Sequence, residues 1–175
     1  MSREVELKFR CENLESVRSK LASLGASFVK VAEQVDIYFQ HPCRDFAERD
    51  EALRLRVEEG GVSELTYKGP REGGVAKARE ELSTTVNDPA ATAEILKRLG
   101  FFEVARVRKR REVYRVSGVE VALDTVEGLG SFGELEDKGG GVAELRKVAE
   151  ELGVGGEPLR ETYLEMLMKV TGRSP

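Results

Sequence analysis

The sequence predicts an α+β protein whose antiparallel β-sheet curls into a closed or nearly closed barrel, with helices flanking its outer face. Two observations predict this class. First, strand-like segments outnumber helical ones, and most of them alternate charged and apolar residues with a period of two. Second, several strands place charges in phase on one face and hydrocarbons on the other. A barrel with a polar interior and an apolar outer face accounts for both observations.

The opening strand, over residues 3–10, alternates charge and hydrocarbon without a break. Because successive side chains of a strand point to opposite faces, Glu4, Glu6 and Lys8 share one face. Two carboxylates followed by a lysine at this spacing are typical of a site that holds a divalent cation beside an anion.

Two helices follow the same plan. The first begins after an N-cap at Asn13 and ends at Gly25, and the second begins after the cap and proline of residues 87–89 and ends at Gly100. Each half of the chain therefore reads strand, helix, glycine, strand, strand. This agreement predicts an internal duplication that gives two similar halves.

The remaining elements follow from alternation and turn signals. Further strands are predicted over residues 34–40, 52–59, 63–69, 78–86, 102–117, 119–126 and 132–137. The pairs 60–61 and 117–118 separate neighbouring strands as hairpin turns should. Helices near 142–152 and 161–171 follow the last strand. We expect a single domain over residues 1–175.

The charged strand faces carry both signs. The candidate cations are Lys8, Arg54, Arg56, Lys68, Arg79, Lys109 and Arg111, and the candidate carboxylates are Glu4, Glu6, Glu134 and Glu136. A solvated face explains the pattern in any one strand, but the number of such strands favours a shared polar interior. Buried charges need partners, and a polyphosphate with a divalent metal satisfies both sets. Arginine and lysine bind phosphate oxygens, whereas carboxylates bind Mg or Mn.

Composition excludes several classes of function. The net charge of −4 argues against a dedicated nucleic-acid binder, so no nucleic-acid partner is expected. There is neither a signal peptide nor an apolar run of about 20 residues, so we expect a cytoplasmic protein with no membrane partner. A single histidine, His41, excludes His-based zinc sites and catalytic triads. The scarcity of Asn and Gln is typical of proteins that work at high temperature.

One glycine motif invites a different interpretation. Residues 128–133 spell G-x-G-x-x-G after a strand, which is the pattern of a dinucleotide-binding loop. That fingerprint requires a helix to begin within the glycines, whereas residues 132–136 alternate as a strand. We therefore interpret the motif as a loop between two strands.

Several motifs resemble those of a known family. Residues 4–8, Glu-Val-Glu-Leu-Lys, match the E-x-E-x-K signature of the CYTH proteins, the triphosphate tunnel metalloenzymes that include class IV adenylyl cyclases and thiamine triphosphatases. The resemblance continues, in the same order, through residues 34–39, 52–56, 66–70, 109–111 and 123–136. It implies an eight-stranded antiparallel tunnel built from two similar halves.

The resemblance also implies a role for each candidate residue. It implies that Mg or Mn is bound by Glu4, Glu6, Glu134 and Glu136, with Asp124 as an additional ligand. It implies that the triphosphate is bound by Lys8, Arg54, Arg56, Lys68, Lys109 and Arg111; Arg79 fits the charge pattern with a looser match. Lys68 and Tyr38 are the nearest matches to a lysine and tyrosine pair that helps activate water in some family triphosphatases. Without the family, a turn role for Asp124 and a packing role for Tyr38 stay open.

The leading expectation is a metal-dependent enzyme most like class IV adenylyl cyclase, which converts ATP to cyclic AMP and pyrophosphate. One alternative is a triphosphatase that releases orthophosphate from inorganic, nucleoside or thiamine triphosphate. Another is a non-catalytic module that binds polyphosphate or RNA ends, although a mere anion binder gains nothing from the carboxylates. The family resemblance also implies a homodimer.

Overall fold

The structure is a computed structural model that describes residues 2–72, 77–154 and 156–172, without the side chains of residues 2–4 and 77–78. Within these ranges the chain forms eight strands and four helices. The strands are β1 (Ser2–Arg10), β2 (Ser27–Gln40), β3 (Ala52–Glu58), β4 (Ser63–Glu72), β5 (Lys77–Val86), β6 (Phe102–Val116), β7 (Val119–Val126) and β8 (Gly130–Asp137). The helices are α1 (Leu14–Ser23), α2 (Pro89–Arg98), α3 (Gly141–Glu151) and α4 (Tyr163–Thr171).

The strands form a closed antiparallel barrel in the order β1-β5-β4-β3-β2-β6-β7-β8. Strand β1 closes the ring, because its first half pairs with β5 and its second half pairs with β8. Closure leaves no unpaired sheet edge among these strands. The predicted fold class is therefore confirmed.

The two halves of the chain repeat one plan, as predicted. The order β1-α1-β2-β3-β4 is followed by β5-α2-β6-β7-β8. Both helices have side-chain N-caps: the backbone N–H of Ser16 donates to Asn13 at 3.0 Å, and that of Ala91 donates to Asp88 at 2.8 Å. Glycine follows each helix at a φ of +70° or +95°, a conformation that side-chain-bearing residues rarely adopt.

Strand β2 is longer than predicted. It begins at Ser27 rather than at residue 34, and its first residues pair with the end of β6. Residues 27–31 are all exposed, including Phe28 and Val29. Because neither face is buried there, the sequence lacks the alternation that marks a half-buried strand.

Two of the apolar clusters lie outside the barrel, between the strands and the helices, and a third packs helix α4 against inner-face residues such as Phe132. Helices α1 and α3 cover β1, β7 and β8, where Leu21, Leu135 and Leu145 are fully buried. Helix α2 covers β2 and β3, with Leu96 packed in a cluster around Leu55. The barrel interior is thereby left to the polar faces of the strands.

The glycine motif at residues 128–133 forms the turn into β8, which is a strand from Gly130 onward. The interpretation as a loop between strands is confirmed. Among the described segments, none of the helices has the length and apolar character needed to cross a bilayer.

Candidate functional site

The barrel encloses a cavity of about 650 Å³, within the range of small-molecule sites. The sequence-predicted residues that line it are Lys8, Arg54, Arg56, Lys68, Arg79, Lys109, Arg111, Glu6, Glu134, Glu136 and Tyr38. The side chain of Glu4 lies outside the described residues, although its backbone pairs with Arg79. Asp124 does not line the cavity and is 0% exposed. The roles predicted for these residues stay predictions.

Asp36 bridges two of the cations. Strand β2 lies between β3 and β6, so Asp36 has Arg56 on one side and Lys109 on the other. Arg56 donates from Nε and Nη2 to the two carboxylate oxygens at 2.7 and 2.8 Å, and Lys109 Nζ donates to Oδ2 at 2.8 Å. The carboxylate is 1% exposed. Asp36 has no role predicted from the sequence, although its alternation with Tyr38 places both side chains on the inner face.

These contacts shift the pKa values of the group. Burial alone would raise the pKa of Asp36, but the charges of Lys109 and Arg56 hold it well below its usual range. Burial lowers the pKa of Lys109 to about 7, with a further contribution from the nearby charge of Arg56 and only partial compensation by Asp36. Lys109 is therefore a buried amine that titrates near neutrality.

The second half of the barrel holds a similar ion pair, in which the carboxylate and the guanidinium have exchanged strands. Arg111 on β6 donates from Nε and Nη2 to Asp124 on β7 at 2.7 and 2.6 Å. In the first half the carboxylate is on β2 and the guanidinium on β3. Arg111 also contacts Glu134, whose Oε1 lies 3.1 Å from Lys8 Nζ. Burial would raise the pKa of Glu134, but Arg111 and Lys8 hold it well below its ordinary value.

Arg54 is the cavity arginine with the poorest hydrogen bonding. It is only 7% exposed, and its Nε is buried without a hydrogen bond within the described part of the chain. Its Nη2 reaches Thr66 Oγ1 at 3.4 Å and Glu64 at 3.5 Å. Such a buried donor is expected to have a partner, so the cavity wall offers an anion a hydrogen bond at this position.

Two further cations are held by β4 and β5. Arg79 donates to the backbone carbonyl of Gly69 at 2.8 and 2.6 Å and to that of Asp50 at 2.9 Å. Lys68 contacts Glu81, its cross-strand partner on β5. Both side chains therefore occupy defined positions in the cavity wall.

Glu6 and Glu136 are the carboxylates best placed to share a cation. They are cross-strand partners on β1 and β8, and both line the cavity. Lys138 Nζ donates to Glu136 Oε1 at 2.6 Å, and the carboxylate oxygens of the two residues can also bind a divalent cation. In the described segments no three Asp, Glu, His or Cys side chains form a ready metal site. Mg commonly takes one or two carboxylates and completes its shell with phosphate oxygens and water, so the donors fit this metal.

Tyr38 and Tyr163 add hydroxyl groups to the cavity wall. Burial, together with the charge of Asp36, raises the pKa of Tyr38 to about 12, so its hydroxyl stays protonated at neutral pH. Tyr163, at the first position of α4, also lines the cavity, and its hydroxyl donates to Asp124 at 2.7 Å. From the sequence alone, Tyr163 is expected to be a packing residue.

A closed antiparallel barrel with charges of both signs inside and apolar clusters on its outer face defines a protein with a highly charged tunnel. This chain belongs to the CYTH family: the CYTH domain profile matches residues 2–163.

Relatives and solved structures agree with this family. The chain is 44% identical over 149 residues to the "Putative adenylate cyclase MJ0240" of Methanocaldococcus jannaschii, covering 85% of each chain. It is 31% identical over 134 residues to "Adenylate cyclase CyaB" of Aeromonas hydrophila, covering 75% of this chain and 67% of the relative. The solved structure of the PH1819 protein from Pyrococcus horikoshii has a TM-score of 0.82 and 39% identity, and the match covers 95% of this chain and 98% of that one.

Proposed function

We propose that this protein is a divalent-metal-dependent enzyme that binds ATP through its triphosphate and converts it to cyclic AMP and pyrophosphate. One observation carries the proposal: a single cavity of about 650 Å³ is lined by seven predicted cations and by Glu6, Glu134 and Glu136. The names of two relatives support the cyclase reaction in particular.

The arginines would bind the phosphates with donors that their carboxylate partners leave unused. A guanidinium carries five N–H donors; Arg56 uses Nε and Nη2 for Asp36, and Arg111 uses Nε for Asp124 and Nη2 for both Asp124 and Glu134. The remaining donors and the unpartnered Nε of Arg54 are available to phosphate oxygens. Fixed cations of this kind stabilise charge that develops on transferring and leaving phosphates.

The carboxylates of Glu6 and Glu136 would hold Mg or Mn, with Glu134 nearby between Lys8 and Arg111. A bound divalent cation would neutralise phosphate charge and polarise a phosphoryl oxygen. In the cyclase reaction, the ribose 3′-hydroxyl attacks the α-phosphorus and pyrophosphate leaves.

Hydrolysis of a triphosphate is a second candidate, favoured by the positions of Tyr38 and Lys68. Both line the cavity, and the Tyr38 hydroxyl stays protonated at neutral pH. A protonated hydroxyl and an ammonium group can orient a water molecule toward the terminal phosphorus. The substrate would then be inorganic, nucleoside or thiamine triphosphate, and the product orthophosphate.

The test incubates the purified protein with ATP, inorganic triphosphate or thiamine triphosphate, with and without Mg or Mn, and separates the products. Cyclic AMP and pyrophosphate from ATP are expected. Orthophosphate release instead identifies the triphosphatase. Binding without turnover in the presence of either metal would reject both enzyme proposals. A variant of a cavity carboxylate, such as Glu136→Gln, is compared with Glu94→Gln as the control. Glu94 is an exposed carboxylate that pairs with Arg98 on α2.

A further inference from the structure

Helix α4 presents its first residue to the interior of the barrel. Thr162, Tyr163 and Leu164 line the cavity, although they follow the last strand by more than twenty residues. A capping box fixes this end of the helix: the Glu165 N–H donates to Thr162 Oγ1 at 3.1 Å, and the Thr162 N–H donates to Glu165 Oε2 at 2.6 Å. Arg71, at the end of β4, donates to Glu165 at 2.9 Å. The start of α4 is therefore tied to the barrel wall.

The ring of Tyr163 lies against the ammonium groups of two lysines. Lys8 Nζ is 4.0 Å from the ring centroid, and Lys109 Nζ is 5.4 Å from it. Phe132 packs against the ring at a centroid distance of 5.0 Å, and Tyr163 is only 4% exposed. Aromatic faces attract cations within about 6 Å, and the attraction is larger when water is excluded. The ring therefore restricts where the Lys8 ammonium can lie.

Lys8 is held from a second direction by a carboxylate. Burial alone would lower the pKa of Lys8, but the charges of Glu134 and Glu6 raise it above its ordinary value. The ammonium thus stays charged between the Glu134 carboxylate, at 3.1 Å, and the Tyr163 ring. A lysine has four rotatable side-chain bonds, so this confinement removes freedom that a phosphate would otherwise have to restrict.

The hydroxyl of Tyr163 acts on a different cation. It donates at 2.7 Å to Asp124 Oδ2, the oxygen that also accepts from Arg111 Nη2. Burial and the charges of Glu134 and Asp124 raise the pKa of Tyr163 well above its ordinary value, so the hydroxyl remains a donor. With three donors on its two oxygens, the Asp124 carboxylate has a fixed orientation. The plane of the Arg111 guanidinium is fixed with it.

We infer that Tyr163 is a positioning residue of the triphosphate site, whose ring orients Lys8 and whose hydroxyl orients Arg111 through Asp124. The inference rests on the proposed function and adds to it a residue outside the barrel strands. Lys8 and Arg111 are then correctly oriented only when α4 packs against the barrel.

Two substitutions separate the two contacts. Tyr163→Phe keeps the ring and removes the hydroxyl, whereas Tyr163→Leu removes both. With Mg, we expect the calorimetric Kd for inorganic triphosphate and the KM for ATP each to rise about threefold in the Phe variant. In the Leu variant we expect a rise of about tenfold. The kcat should change by less than about twofold, because binding is impaired in ground and transition states alike.

A double-mutant cycle identifies the partner. In a Lys8→Met background the ring has no Lys8 ammonium to contact. There, Tyr163→Leu should raise the Kd for triphosphate no more than Tyr163→Phe does. Met166→Ala is the matched control, since Met166 packs in the same cluster but does not line the cavity. It should lower the Tm and leave the Kd within about twofold of the wild-type value.

Three results would overturn the inference. The first is a Tyr163→Leu variant that binds triphosphate as tightly as the wild type. The second is a Tyr163→Leu effect on the Kd that is as large in the Lys8→Met background as in the wild type. The third is a Met166→Ala variant whose Kd rises as much as that of Tyr163→Leu. Absence of triphosphate binding by the wild-type protein is a separate outcome, which would reject the proposed function and this inference with it. If the Leu variant does not fold, the Phe variant still tests the hydroxyl, and a Phe variant that binds triphosphate as tightly as the wild type would overturn the inference.

Discussion

Replacing Asp36 with Asn removes the negative charge of a side chain that binds two cations inside the barrel. In the wild-type protein Asp36 accepts two hydrogen bonds from Arg56 and one from Lys109, and it is 1% exposed. Removing one partner of a buried ion pair costs about 3–5 kcal/mol, because the remaining charge is left buried and uncompensated. We expect Asp36→Asn to lower the free energy of unfolding by about this amount. The Tm should fall by about 10 °C.

The measurement is equilibrium unfolding in urea, an uncharged denaturant, followed by circular dichroism at low salt. Glu33→Gln is the matched control, because it makes the same chemical change on the same strand. Glu33 pairs with Arg110 at 3.1 Å, and both side chains are more than half exposed. Exposed pairs contribute little, so this variant should lose less than about 1 kcal/mol.

Added inorganic triphosphate sharpens the same experiment. An anion that binds only the folded protein stabilises it by mass action, and in Asp36→Asn it would also supply the missing negative charge. Triphosphate should therefore raise the Tm of Asp36→Asn. If Asp36→Asn and Glu33→Gln lose equal stability, Asp36 is not the counter-charge of the barrel interior and our reasoning is wrong.

Three further predictions concern binding and turnover. Lys109, with a pKa of about 7, loses its charge as pH rises through neutrality, so triphosphate affinity should fall as the pH rises above about 7. Lys109→Arg stays protonated, and calorimetry should show a flatter pH profile than in the wild type; parallel profiles would contradict this. Arg54→Met should raise the Kd for triphosphate about tenfold or more, because the unpartnered Nε is lost, whereas an unchanged Kd would exclude phosphate contact. Glu136→Gln should raise the Mg concentration needed for half-maximal turnover; an unaltered metal titration would remove Glu136 from the metal site.

Much of the fold was predictable because its signals are local. Charge alternation identified the polar face of each strand, and the caps at Asn13 and residues 87–89 located two helices within one or two residues. The length of β2 was not predictable. Residues 27–33 are held mainly by pairing with a strand distant in sequence, and the exposed start of β2 shows no alternation.

Part of the candidate site was also predictable from local sequence. Residues such as Arg54 and Arg56 share a face of one strand, so a common orientation followed from a period of two. The partners of these residues were not local. Lys109 reaches Asp36 across 73 positions of sequence, and Tyr163 reaches Asp124 across 39. No pattern within either segment specifies those contacts.

By itself, the sequence determined which side chains face the interior, because side-chain direction along a strand depends only on position within that strand. The tertiary structure alone decided which cation meets which carboxylate. Those neighbours depend on strand order, register and the closure of the ring by β1. It therefore placed Asp124 behind Arg111, seated Tyr163 beside Lys8, and left the Nε of Arg54 without a partner in the described chain. In a barrel, residues that are distant in sequence become neighbours only when their own strands pair.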